Sequence, residues 1–203
     1  MAPVAKPAGM HALYRKVQTA MNEHVEHNCR DIIEMLSCHY AEPEDVEESV
    51  PTLLMALTDP GAYIAAFPDY AWLAETYERA LTDPKLAEDL FACALSWAVS
   101  GFGVSGDKGD EIFEAVVDVL DDMDIEIGEP DFDRGNWADY AEFIENQLLK
   151  LNANKRLVAL DMDFSDSISV FVVESADYDK ILGLVQFFNV KFVDSAALPK
   201  FNS

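Results

Sequence analysis

Apolar positions recur along this chain with two different periods. Between Met10 and Tyr40, the residues Leu13, Val17, Met21, Val25, Ile32 and Leu36 fall four or seven apart, the spacing of one helix face. The acidic turn AEPEDVEES, with Pro43, closes this helix and opens a second one ending near Thr58. Acids in a first helical turn favour the positive end of the helix dipole. Ala56-Leu57-Thr58-Asp59-Pro60 recurs as Ala80-Leu81-Thr82-Asp83-Pro84. Thr or Asp followed by Pro is a helix start. The flanking sequences differ, so these read as two capping signals rather than a repeat. Helices are predicted over 69–81 and 84–99, the second apolar on most sides and central to the core.

The glycine-rich run Gly101–Gly106 breaks the chain, and a helix is predicted over Asp110–Asp122. Its apolar positions Ile112, Phe113, Val116, Val117 and Leu120 face inward, while Glu111, Glu114, Asp118, Asp121 and Asp122 face out. A loop over 125–135 leads to an amphipathic helix over Trp137–Leu151. The pattern then changes. Arg156–Met162 and Ile168–Glu174 are β-rich runs joined by Phe164-Ser165-Asp166-Ser167, which predicts a hairpin. A helix over 177–188 and a short strand over 190–193 follow.

The fold class expected is α+β, with about six helices followed by a C-terminal β-β-α-β element. Residues 1–9 read as a mobile arm, 10–151 as an acidic helical region, and 152–203 as the β-β-α-β region. About 50 residues form a marginal domain alone. The last region is therefore expected to pack on the helices as one compact unit.

Charge changes this picture from a fold to a class of partner. The net charge is -24, and residues 41–150 carry 27 acids against five bases. A field this one-sided repels nucleic acid and anionic membranes and attracts basic proteins. Half the residues are apolar and 11% are aromatic, which separates the chain from a disordered acidic tail. Cys29, Cys38 and Cys93 form no disulfide framework, consistent with a reducing compartment. The opening MAPVAKPAG lacks the apolar core of a signal peptide, and Phe91–Val104 is too short to span a bilayer. The expectation is a cytoplasmic protein.

Several motifs could carry chemistry. Gly101-Phe102-Gly103-Val104-Ser105-Gly106 matches GxGxxG, but a dinucleotide site needs a strand before the motif. Here a helix is predicted there, and Asp107, Asp110 and Glu111 would repel phosphate, so the run reads as a flexible turn. Asp161-Met162-Asp163 ends a β run, like the strand-end DxD of haloacid-dehalogenase phosphotransferases. The downstream Lys and acids which that chemistry needs do not follow. Asp131, Asp133, Asp139 and Glu142 fall at positions 1, 3, 9 and 12 of a calcium loop, with the Trp137 carbonyl at position 7. Asn136 stands where that loop has glycine, and the segment before it does not read as a helix. Calcium is the one cofactor this spacing offers. His24, His27, Cys29, Cys38 and His39 could suggest zinc, yet His27 and Cys38 lie roughly 16 Å apart along one helix. A Cys29/His27 nucleophile pair would occupy different helix faces.

The acidic faces remain. Glu111, Glu114, Asp118 and Asp122 rise about 5–6 Å per turn, comparable to the spacing of phosphates along a DNA strand. Such a ladder could occupy a phosphate-binding groove, with salt-sensitive affinity. The group Glu42, Glu44, Asp45, Glu47 and Glu48 and the stretch from Asp121 to Asp133 could extend it. Trp137 and Tyr140, if exposed beside it, would supply an aromatic hot spot. The preferred expectation is a non-enzymatic acidic protein that inhibits or regulates a basic partner, such as a toxin or a nucleic-acid-binding protein. Charge serving only solubility, a calcium module and an enzyme with a site outside known motifs are the alternatives.

Leu157-Val-Ala-Leu-Asp161-Met-Asp163-Phe-Ser-Asp166-Ser-Ile-Ser-Val-Phe-Val-Val173, followed by a helix and Val190-Lys-Phe-Val-Asp194, resembles the end of an uncharacterised bacterial domain family. The resemblance covers residues 155–194 and implies an acidic helical first part, with no activity to transfer. In charge and class the chain is also similar to toxin-immunity proteins and DNA mimics.

Overall fold

A computed structural model describes residues 23–69, 74, 75, 78, 89–132, 135–161 and 167–192. The expected arm at 1–9, the start of the first helix, the second capping signal at 80–84, and Asp133, Asp163 and Asp166 lie outside these residues.

The first helical residues, 23–36, form α1. The helices α2 (Pro43–Thr58) and α3 (Pro60–Ala66) follow, and the first capping signal acts as read, since the Asp59 carboxylate accepts the Ala62 amide at 3.0 Å. Then come α4 (Asp89–Ala98), β1 (Gly103–Gly106), α5 (Gly109–Asp122) and α6 (Trp137–Leu151). The hairpin strands β2 (Lys155–Asp161) and β3 (Ile168–Glu174), helix α7 (Tyr178–Phe187) and β4 (Lys191–Phe192) complete the order. The fold is α+β.

The four strands form one antiparallel sheet in the order β1-β3-β2-β4. Its two central strands are buried on both faces, which explains their nearly unbroken apolar sequences. Val158, Leu160, Phe171 and Val173 join a core built with α1, α2, α3, α4 and α7. Leu157, Ala159, Ile168, Val170 and Val172 join a second core with α5 and α6. The sheet is therefore the middle of three layers.

This arrangement corrects one expectation. Gly101–Gly106 is not only a turn, because four of its residues form β1 on the edge of β3, pairing Gly103 with Phe171 and Gly106 with Ile168. The glycines permit close approach: a Cβ at Gly103 would collide with the Phe171 ring, and one at Gly106 would lie 2.9 Å from Ile112. β1 thereby joins the sheet of the C-terminal strands.

Four helices end in one way. After α1, His39 donates to the Glu34 carbonyl and Cys38 to that of Met35, closing a Schellman motif. The same bond pair closes α5, α6 and α7, with Asp124, Asn152 and Asn189 at the left-handed position. Asn and Asp tolerate that backbone, whereas Cys38, at φ 51°, is unusual there.

Candidate functional site: an acidic outer layer

Helices α5 and α6 cover one face of the sheet and carry the densest charge. Residues 107–142 hold 14 acids against two bases, half of the net charge of the whole chain. Ile112, Val116 and Leu120 bury the inner stripe of α5, so Glu111, Glu114, Asp118, Asp121 and Asp122 are exposed on its outer side. At 3.6 residues per turn these five project within an arc of about 100°. Asp124, Glu126, Glu129 and Asp131 are exposed on the following loop. Lys108 lies within this field, but Glu111 engages its ammonium at 2.5 Å and holds it above its usual pKa range.

The group on α2 does not continue this surface. Glu42, Glu44, Asp45, Glu47 and Glu48 are exposed, but α2 packs on the opposite face of the sheet. There Arg30 binds Glu47 at 2.8 Å, and its hydrogen bond lowers the Glu47 pKa. The acidic residues thus form at least two surfaces.

Trp137 and Tyr140 are not the exposed aromatics expected beside the ladder. They are 1% and 5% exposed, because positions 137, 140, 141, 144 and 148 form the inward stripe of α6. Half-buried aromatics take the rim instead. Phe113 stacks on Tyr140 at 4.8 Å between ring centroids, Phe132 meets Tyr140 at 5.1 Å, and Phe143 stands edge-on to both phenylalanines. Phe132, Phe143, Asp139, Glu142 and Asn146 line an open depression of about 350 Å³. Sequence reading missed Phe132 and Phe143, since neither falls on the apolar stripe of a predicted helix.

Of the calcium-loop positions, Asp131, Asp139 and Glu142 are exposed. Asp139 already serves α6: its carboxylate accepts the Asn136 amide at 3.0 Å while the Asn136 side chain accepts the Asp139 amide at 3.1 Å, a capping box. Position 7, Trp137, is the first residue of the helix rather than part of a loop. Among the described residues, no three His, Cys, Asp or Glu side chains are grouped to hold a metal ion.

The residues considered for zinc are dispersed. His24 meets Phe187, His27 lies 3.4 Å from Asp31, and His39 binds Asp177 at 2.7 Å. Burial pushes the Cys29 thiol up to about 12. Asp161 lies 3.7 Å from the Lys191 ammonium. Among the described residues, no helix is long and apolar enough to cross a membrane. No family model, curated protein or solved structure matches this chain.

Proposed function

We propose that this protein acts by binding a basic protein partner through the outer layer formed by α5, α6 and the loop between them. The observation that carries the reading is the convergence on one layer of the α5 carboxylates with a depression walled by Phe132 and Phe143 and edged by Asp139 and Glu142. A carboxylate ladder supplies long-range attraction and register. The depression suits one Lys or Arg side chain of the partner, held by two carboxylates and by the faces or edges of the rings. Blocking a phosphate-binding surface, as an inhibitor of a nuclease toxin or of a DNA-binding protein, is the role that fits such a layer best. No catalytic residue enters this reading.

The test is capture of partners from the source cell's lysate at low and high salt, followed by affinity measurement with the purified partner. A stoichiometric basic protein that elutes as salt rises supports the proposal. The pair Glu114→Lys and Asp118→Lys should abolish binding at moderate salt, and Phe143→Ala should weaken it at least tenfold. Unchanged affinity in both would remove α5 and the depression from the interface.

A further inference from the structure

Three complementary side chains meet where α1 ends. Cys38 follows that helix, Lys155 opens β2 and Glu174 closes β3. The Lys155 nitrogen lies 3.1 Å from the Cys38 sulfur and is ion-paired with Glu174. The same Glu174 oxygen is 3.9 Å from the sulfur. Cys29 and Cys93 sit within the helical core, whereas Cys38 faces charged groups. Lys155 also lines an open depression of about 350 Å³ with Asn152, Asn154, Arg156 and Ser175, and the Glu174 side chain is 37% exposed, so the cluster borders solvent at these two residues.

We propose that this cluster is an oxidation site, in which a peroxide joins Cys38 Sγ covalently to Lys155 Nζ. Peroxide takes two electrons from the thiol, giving the sulfenic acid and one water. Lys155, its proton passed to Glu174, then attacks the sulfur. An N–S bond forms, the S–O bond breaks, and the departing hydroxide takes up a proton as a second water. The chain loses two hydrogen atoms, and the peroxide becomes two waters. The 3.1 Å separation already lies within the range of about 3–3.5 Å for reacting atoms. Burial raises the Cys38 thiol while Lys155 draws it back; because Cys38 is buried, a small oxidant has the advantage over bulky thiol reagents. The two residues are 117 apart in sequence, so the link closes a long loop in the unfolded chain and stabilises the folded one.

The full chain treated with hydrogen peroxide, digested without reductant and analysed by mass spectrometry provides the test. Expected is a peptide pair joined at Cys38 and Lys155, two hydrogens lighter than its parts and released by dithiothreitol. It should be absent from Cys38→Ser and from Lys155→Arg, which keeps the charge. The oxidised protein should melt at least about 5 °C higher. A Cys38 that stays reduced, or that reaches sulfinic acid while Lys155 remains free, overturns the proposal. Both results are read on the unsubstituted chain, so they hold even where a variant fails to fold.

Discussion

The Ser105 hydroxyl lies 2.9 Å from the Ser169 hydroxyl, directly across the β1–β3 pair. Ser169 is the buried polar residue in an otherwise apolar central strand, and Ser105 satisfies it from the sheet edge. Two positions earlier the Phe171 ring covers Gly103. Beyond its backbone pairing with β3, β1 is thus fixed by a side-chain hydrogen bond and by the close approach that Gly103 and Gly106 permit. Gly103→Ala should cost about 1–3 kcal/mol through overpacking against that ring. Gly101→Ala, which meets nothing within 4 Å, should be nearly neutral. Denaturant midpoints of the two variants compare them, and equal values would show that β1 does not pack as described.

Self-repulsion on the outer layer predicts a stability that rises with salt. Adding monovalent salt from about 0.01 to about 0.5 M shortens the Debye length from about 30 Å to below about 8 Å and should raise the melting temperature. The gain should shrink in the Glu114→Lys, Asp118→Lys pair, which removes part of the repulsion. A salt response identical in both proteins would place the repulsion elsewhere.

The capping box separates a structural from a metal-binding Asp139. Asp139→Ala should cost about 0.3–1.5 kcal/mol by removing the N3 half of the capping box, with or without calcium. A calcium module would behave differently, its melting temperature rising with added calcium in the unsubstituted protein alone. Thermal melts of both proteins across a calcium titration distinguish the outcomes.

Cys29 predicts a loss of stability in base. Burial raises its pKa from 9.0 to about 12. Below pH 9 the thiol is protonated in folded and unfolded chains alike, and its contribution is fully present. Between the two values only the unfolded chain releases the proton, so the contribution is lost as pH rises toward 12. Burial shifts the Tyr63 hydroxyl in the same direction. Chemical denaturation at about pH 8 and about pH 11 should therefore show a smaller decline in Cys29→Ala than in the unsubstituted chain. Parallel declines would mean that the thiol is not buried in the folded state.

Much of this fold is legible in residue spacing. The α2 start at Pro43, the α5 stripe and the hairpin all fall where their periods place them. β1 escaped because Gly-Val-Ser-Gly has no strand propensity of its own; it forms where β3 offers an unpaired edge, a tertiary effect. The site was legible in part. Exposure of Glu111, Glu114 and Asp118 follows from the helical period, whereas the depression between Phe132 and Phe143 depends on how the loop after α5 returns to α6. Trp137 and Tyr140 do not meet the condition of exposure, and the sequence holds the signal: both lie on the same apolar stripe as Ile144 and Leu148.

The place of the sheet in the chain has a consequence during synthesis. β2 and β3 supply surface to both cores, yet they span residues 155–174, after α1 through α6 and before α7. As the polypeptide leaves the ribosome, α1 through α6 emerge before the strands that complete both cores. Neither core is complete until β2 and β3 have cleared the exit tunnel. Both cores are therefore finished only after residue 174 has been made, and until then the growing chain presents apolar surface that a chaperone can shield.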